Sequence, residues 1–419
     1  MSHLATHTLI FDVHPTSRYS AATLLGAIEI DSRLEDVNIE APVRVSERLV
    51  RDSLKQGPVS VAHSVMSTQT DRVYQQVRQL RKRFEDTLTM IGGGPHASAR
   101  PRELIDNGFD FVVVGEGELT FPELLNTIVS GGDPYGIEGV VGRQSNRIPT
   151  PGKLPRVDLD DYPPFAVERG LVGPIEVTRG CPFSCKFCCT PFLTGGRVRH
   201  RSIGGIVNWL QQAVARSGFE RAWFLSPNAL SYGGSGTRLM PEKLEDLLMQ
   251  TTRIEGLDEV YFGSFPSEVR PDFITKPILR MMRGYVANDT LQIGFQSGSD
   301  RVLKLTNRRH TVEEGLKAIR IAQDCGFTPH VDMIFGLPGE TQQERHASIE
   351  LCYDLAERGV KTHGHVFMPL PGSAFEGEEP GRLDGTSRRL LGELSRKGFM
   401  TGSWVKQETI AETLTETAG

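Results

Sequence analysis

The chain has 419 residues, 38% hydrophobic and 24% charged, and at roughly 150 residues per domain this length implies two or three domains and excludes one small module. Twenty Phe, 8 Tyr and 3 Trp supply apolar surface for several core layers, and the composition carries no disorder signature. With 47 basic against 52 acidic residues the net charge is −5, a field that attracts phosphate backbones weakly, so nucleic acid is not the expected partner.

In chain order, the first 145 residues alternate short β-branched runs with longer amphipathic ones. Strands are predicted at residues 8–11, 37–41, 59–63, 87–92 and 111–114, with helices near 21–30, 47–56, 71–84 and 101–107 between them. This α/β rhythm predicts a Rossmann-like doubly wound parallel sheet over residues 1–145, with the loops at 12–20, 64–70, 92–99 and 115–118 sharing one rim beyond the strand ends, where such sheets bind ligands. Residues 146–170, rich in Pro, Asp and Arg, read as an extended linker.

The rhythm resumes at residues 174–178, 221–225, 259–263, 290–295, 328–335 and 361–367. Six βα units over residues 171–372 fall short of the roughly 250 residues of a closed eight-unit barrel and predict a partial (β/α)6 TIM-like barrel. A C-terminal extension, 373–419, carries a predicted helix near 386–397. The charge-free run 202–215 is shorter than the roughly 18–20 residues of a membrane span, so no membrane partner is expected. Met1-Ser2-His3-Leu4 lacks the regions of a secretory signal, which predicts a cytoplasmic location and reduced thiols.

Six cysteines stand at positions 181, 185, 188, 189, 325 and 352, and four of them within nine residues imply a metal or cluster site in place of a disulfide framework. Cys181, Cys185 and Cys188 follow the first barrel strand with spacing C-x3-C-x2-C. A four-iron cluster normally takes four cysteines, so three leave one iron open to a small molecule. The other reading of the same residues is a structural zinc closed by Cys189 or His200. Cys325 and Cys352 lie in helical patterns and read as packing residues.

This spacing, with Phe187 just before the third cysteine, resembles the radical S-adenosylmethionine (radical SAM) superfamily. The segments 293–300, Ile-Gly-Phe-Gln-Ser-Gly-Ser-Asp, and 333–341, Met-Ile-Phe-Gly-Leu-Pro-Gly-Glu-Thr, resemble its fourth- and fifth-strand motifs. The resemblance implies a 4Fe-4S cluster on Cys181, Cys185 and Cys188, Phe187 against the adenine of S-adenosylmethionine, Gln296 and Ser297 toward its ribose or amino acid part, and Gly336 beside the nucleoside. Glu268 and Arg270 are candidates for the ligand's amine and carboxylate, or a solvated ion pair. His330, His363 and His365 read as core or hydrogen-bonded residues. The chemistry so implied is reductive cleavage of S-adenosylmethionine, with the protein orienting it and excluding water.

The first domain resembles the cobalamin-binding domains fused to one branch of that superfamily, through Gly92-Gly93-Gly94 and through Glu116-Gly117 in the next loop. Glycines there let backbone approach a bulky corrin or its tail, although Gly-rich turns also close many parallel sheets. Asp12-Val13-His14 overlaps the motif that supplies a cobalt-ligating histidine, but Ser17 stands where glycine is expected. Ser64 and Ser67 match the region that contacts the nucleotide tail. Together these features imply a cobalamin-dependent radical SAM enzyme, a methyltransferase on an unactivated carbon of a small molecule or peptide, reduced by an electron donor such as flavodoxin or ferredoxin.

Two alternatives stand beside it. A methylthiotransferase resemblance over 296–307 and 332–341 lacks the second cysteine trio such enzymes carry in their first domain. A non-enzymatic metal or cobalamin sensor would hold the structural zinc.

Overall fold

The computed structural model describes residues 6–416; the N-terminal tetrapeptide and the last three residues of the C-terminal extension lie outside them. Two compact units divide the chain, residues 1–173 with 192–194, and residues 174–191 with 195–419.

The first unit is built on β1 (Thr8–Phe11), β2 (Asn38–Glu40), β3 (Val59–Ser64), β4 (Leu88–Gly93), β5 (Phe111–Val113) and β6 (Val140–Gly142), in the order β2-β1-β3-β4-β5-β6. All pairs are parallel except β5 with β6. Successive side chains point to opposite faces of a strand, and this sends Leu9 and Phe11 into one apolar cluster and Ile10 into the other. Helices cover both faces, so β1 and β3 are buried throughout, as parallel strands covered on both sides are. The strand order reverses between β1 and β3, where a doubly wound sheet opens a crevice at its carboxyl edge.

Residues 146–170 are not a loose spacer. Val157, Leu159, Phe165, Ala166 and Val167 are buried, and Ala166 bridges Leu171. Gly26 is required beneath them, because a Cβ there would stand 2.7 Å from the Phe165 carbonyl oxygen.

The second unit contains β7 (Ile175–Glu176), β8 (Thr178–Arg179), β9 (Arg199–His200), β10 (Arg221–Leu225), β11 (Glu259–Tyr261), β12 (Thr290–Gln296), β13 (Thr328–Phe335), β14 (Lys361–Val366) and β15 (Met400–Thr401). Two parallel sheets, β7-β10-β11 and β12-β13-β14-β15, are joined by a bridge from Val269 to Ile293 and by the Gln292 N–H donating to Gly263 O at 2.9 Å. The result is an open arc of the six expected strands with β15 added as a short seventh. Helices Ile203–Ser217, Pro241–Thr252, Lys276–Arg283, Val312–Asp324 and Gln342–Glu357 return the chain between strands.

Local chemistry fixes their ends. Thr311 with Glu314 and Thr341 with Glu344 form capping boxes, each satisfying helix-terminal N–H groups reciprocally. Ser202 caps the helix Ile203–Ser217 and left-handed Gly218 ends it. That helix has 15 residues, and no described helix is long and apolar enough to cross a membrane. After β14, helix Gly385–Arg396, β15 and helix Trp404–Glu416 make the C-terminal segment part of the barrel wall.

Candidate active site

The three-cysteine loop follows β8, at the carboxyl end of the first barrel strands, where βα loops build barrel sites. Gly180 takes φ +94, and a Cβ there would strike the Arg197 carbonyl oxygen. The loop is pinned by Cys181 N donating to Gly195 O at 3.1 Å, Cys188 N to Cys185 O at 3.0 Å and Lys186 N to Thr306 O at 3.0 Å. Burial pushes the thiols of Cys181 and Cys188 up, that of Cys188 to about 12. Deprotonated sulfur therefore needs a compensating cation, as metal ligation supplies.

The zinc alternative loses one of its two candidate fourth ligands, since His200 is committed at both ring nitrogens, Nδ1 to Thr178 Oγ1 at 2.9 Å and Nε2 to Gly234 O at 2.7 Å.

Beside the cysteine loop the barrel lumen is polar. Arg308, 7% exposed, donates from Nη1 to Cys185 Sγ at 3.6 Å and from Nη2 to Gly294 O at 2.6 Å. Gly294 makes room for this convergence, since a Cβ there would stand 2.9 Å from both Gln296 Nε2 and Glu268 Oε2 and would overlap Arg308 Nη2. Glu268 keeps accessible surface although protein surrounds it, as befits a carboxylate lining a hollow. That enclosure, and then Asp332, push its pKa up to about 7. Buried Arg308 Nε, Arg270 Nη1 and Asp332 Oδ2 have no partner, a set of orphaned charged groups that fits an amino acid ligand bearing both an amine and a carboxylate. His310 is held neutral, its pKa depressed to about 3 by burial, Arg308 and Arg270.

Behind Asp332 stands His365, with Nε2 3.7 Å from Asp332 Oδ1. Gln407, on the last helix, accepts from the Val366 N–H through Oε1 at 3.0 Å and places Nε2 3.1 Å from His365 Nδ1. The backbone N–H fixes the amide orientation, so its NH2 end donates to Nδ1 and the imidazole proton sits on Nε2, facing Asp332.

The residues named from sequence are distributed as follows. Gln296 is 4% exposed and takes φ +80, at the bulge where Gly294 pairs with Asp332 and Gln296 with Met333; strain of this kind in a non-glycine residue marks functional sites. Ser297 Oγ accepts from Ser299 N at 3.2 Å, a turn-forming role. Gly336 has φ +74, donates its N–H to Glu340 Oε2 at 2.7 Å and closely approaches Gly381, where a Cβ would stand 2.9 Å from Cα. Phe187 packs with Leu337, Phe367 and Phe375. Glu268 and Arg270 are not a solvated pair: Arg270, 3% exposed, is bound to Asp272 at 2.9 Å and lies 3.6 Å over the Phe183 ring. His363 Nδ1 meets Thr401 Oγ1 at 2.9 Å, and His330 is half-buried. Sequence reasoning did not single out Arg308, Asp332 or Gln407.

In the first unit, Ser20 Oγ donates to Ser64 Oγ at 2.7 Å, and Gly94, at φ +98, approaches Ser64 so closely that a Cβ would stand 2.9 Å from its Oγ. Gly93 meets only Val113, at 3.8 Å, so packing alone does not demand a glycine there. Ser67 Oγ lies 3.0 Å from His96 Nδ1. Gly92 is required by Leu104 and Phe109, and Gly117 by Leu24. The Glu116 carboxylate is engaged by Val157 N at 3.0 Å and Arg156 at 3.3 Å, binding the connector. His14 Nδ1 lies 2.6 Å from Thr16 Oγ1. Asp12 turns away from it to Arg72 at 3.0 Å and His63 at 3.4 Å, and these partners outweigh burial and hold its pKa below the ordinary value.

Residues 175–352 match the family model of the radical SAM superfamily, and residues 2–125 match that of the B12 binding domain. An uncharacterized protein of Methanopyrus kandleri is 26% identical, covering 76% of this chain and 69% of its own. An uncharacterized methyltransferase of Pyrococcus horikoshii is also 26% identical, over 71% of this chain and 64% of its own. A tRNA-2-methylthio-N(6)-dimethylallyladenosine synthase of Magnetococcus marinus is 30% identical, over 55% and 54%. The chain thus spans just over half to about two thirds of the length of these relatives. Among solved structures, the cobalamin-dependent S-adenosylmethionine radical enzyme OxsB superposes with TM-score 0.67 at 15% identity, over 99% of this chain and 61% of that one. The radical S-adenosylmethionine methyltransferase TsrM of Kitasatospora setae gives 0.62 at 20%, over 89% and 75%. At these identities the likeness establishes the two-module fold.

Proposed function

The chain belongs to the radical SAM superfamily, with a B12 binding domain ahead of its barrel, and on that premise we propose a cobalamin-dependent enzyme that methylates an unactivated carbon of a small molecule or peptide. The observation that carries this reading is Arg308, which joins the cysteine loop to a lumen of orphaned charged groups.

When bound, the cluster, S-adenosylmethionine and cobalamin supply the one-electron, radical and methyl-carrying chemistry. The protein's share falls to named residues. Cys181, Cys185 and Cys188 hold the cluster. The unpartnered Nε of Arg308 would meet a ligand carboxylate, and Glu268 would meet an amine. Gln296 reaches the same space from its strained turn. Ser64, Gly93 and Gly94 bear the corrinoid, while Phe187 and its apolar neighbours keep water from the cysteine loop. The polar lining of Glu268, Asp332 and His365 suits a small polar substrate. Methyl transfer is favoured by the names of two similar proteins, TsrM and the Pyrococcus methyltransferase, and by the B12 binding match, which replaces the cysteine-bearing first domain expected of a methylthiotransferase. Flavodoxin or ferredoxin fits as the source of the electron.

Oxygen-free reconstitution tests the reading. The protein is expected to hold about four irons and a stoichiometric cobalamin, and to cleave S-adenosylmethionine under reduction. Cleavage without cobalt uptake would leave a plain radical enzyme and remove the methyl transfer; a colourless zinc protein would remove both.

A further inference from the structure

We propose that Asp12, His63, Gln69 and Arg72 form a buried subsite for one propionamide arm of the corrinoid; the proposal rests on the functional reading above and names the group of that ligand which the first unit reads. Asp12 directly follows β1, His63 is the last residue but one of β3, and Arg72 lies in the first turn of the helix Thr70–Phe84. These are the carboxyl ends of the two strands between which the sheet order reverses, the place where such a sheet opens its crevice. Asp12 Oδ2 accepts from Arg72 Nη1 at 3.0 Å and from His63 Nδ1 at 3.4 Å, which joins the three side chains in one cluster.

The cluster is unfinished. Asp12 is 1% exposed and His63 2%, yet Asp12 Oδ1, His63 Nε2, and Arg72 Nε and Nη2 have no hydrogen-bond partner. Gln69, three residues before Arg72, directs Nε2 to Thr16 Oγ1 and leaves its buried Oε1 unpartnered as well. A carboxylate only accepts, so the His63 proton facing Asp12 sits on Nδ1 and Nε2 is left as an acceptor. The open atoms are therefore acceptors on Asp12, His63 and Gln69 and donors on the Nε and Nη2 edge of one guanidinium. Unpaired buried groups are costly, and this many on adjoining side chains call for a ligand.

Charge decides which ligand fits. Asp12 already offsets Arg72, so a phosphate or carboxylate on the guanidinium edge would face Asp12 Oδ1, and an ammonium on Asp12 would face Arg72; buried charges tolerate neither. A neutral group that both accepts and donates is required. A primary carboxamide does both, its oxygen on Arg72 Nε and Nη2 and its NH2 on Asp12 Oδ1 and Gln69 Oε1. Corrin rings carry such amides at the tips of their peripheral arms. The Arg72 side chain keeps 32% of its surface and that of Asp12 only 2%, so the subsite is entered beside Arg72 and lies beneath it, which selects the longer propionamide over an acetamide. Phe109, edge-on to the His63 ring at 6.0 Å, closes the inner side.

The test titrates the full-length protein with cyanocobalamin and with its b-, d- and e-monocarboxylic acids, each bearing one propionate in place of a propionamide, and reads binding by calorimetry. Wild type is expected to bind one of these acids roughly ten- to a hundredfold more weakly than cobalamin and the others within about threefold. Asp12→Asn leaves Arg72 without its counter-charge and should bind that same acid at least as tightly as cobalamin. The double variant Asp12→Asn/Arg72→Met keeps the cluster neutral, and in it the preference should shrink to within about threefold, with a thermal melt showing that it folds. Wild-type protein that binds all three acids like cobalamin, as trapped water in place of an arm would give, overturns the subsite, and so does a preference that survives in the double variant. Arg72→Met should weaken cobinamide, which lacks the nucleotide tail, by the same factor as cobalamin; a loss confined to cobalamin would assign Arg72 to the tail's phosphodiester and overturn the carboxamide. Wild-type protein that binds neither cobalamin nor cobinamide overturns the functional reading as well.

Discussion

Gly294→Ala is the smallest change that tests the lumen. Gly294 lies in β12 without a positive φ, so alanine suits its backbone and the strand should still form. The added Cβ would stand 2.9 Å from Gln296 Nε2 and Glu268 Oε2 and would overlap Arg308 Nη2. All three are side-chain ends, so they withdraw while the fold stays. What is lost is the 2.6 Å bond from Arg308 to the Gly294 carbonyl, and with it the aim of the guanidinium into the site. Hydrogen bonds from charged groups contribute about 1.5–3 kcal/mol, which corresponds to roughly a ten- to hundredfold loss of affinity. Calorimetric titration of S-adenosylmethionine into reconstituted protein, with iron counted beforehand, measures this directly. An affinity within about threefold of wild type, less than 1 kcal/mol, would refute the assignment of Arg308 and Glu268 to the ligand.

Three further outcomes follow from the same geometry. The pKa of Glu268 is raised from 4.5 to about 7 in the folded chain, so its favourable contribution is complete below 4.5 and lost as pH climbs through 7. Glu268→Gln should therefore melt higher than wild type near pH 8 and equally near pH 4.5, and a difference independent of pH would contradict this. Because burial raises the thiols of Cys181 and Cys188 and metal ligation needs thiolates, iron uptake should improve steadily from about pH 6.5 to 8.5, with Cys185→Ala failing to retain the cluster at any pH; a flat profile in iron assays counts against thiolate ligation. Gln407→Leu should convert the single Nε2–H tautomer of His365 into a mixture, visible in the 15N shifts of histidine-labelled protein; unaltered shifts would show that the helix does not set the tautomer.

Much of this architecture was legible because its strands are short segments rich in apolar and β-branched residues, bounded by turn residues and alternating with amphipathic helices. The strands read from sequence at 8–11, 221–225 and 328–335 coincide with β1, β10 and β13. Elements of two or three residues, such as β8, β9 and β15, leave no periodicity to read, and antiparallel β6 looks like the end of the preceding domain pattern. The helix Trp404–Glu416 is rich in Thr and weakly amphipathic, so its part in the lumen through Gln407 was hidden. The cysteine trio was legible because its chemistry is local. The lumen was not: Glu268, Gly294, Arg308, Asp332 and His365 come from separate strands and loops and meet only when the arc forms.

The segment Asn307-Arg308-Arg309-His310 shows why composition misleads here. A run of this kind reads as a solvated loop, yet its residues divide sharply between inside and outside. Left-handed backbone at Asn307 and Arg309, φ +58 and +60, flanks Arg308, which is buried on Cys185 and Gly294. Asn307 fastens the turn to the cysteine loop, Arg309 stays exposed on the face beside Ser184, and His310 is neutral and buried against Phe295 O at 3.1 Å. One tetrapeptide thus holds the cysteine loop in place, buries one cation beside Cys185 and leaves another on the outer surface. Relaxing either left-handed residue would move all three functions together, so backbone strain is better tolerated here than removed.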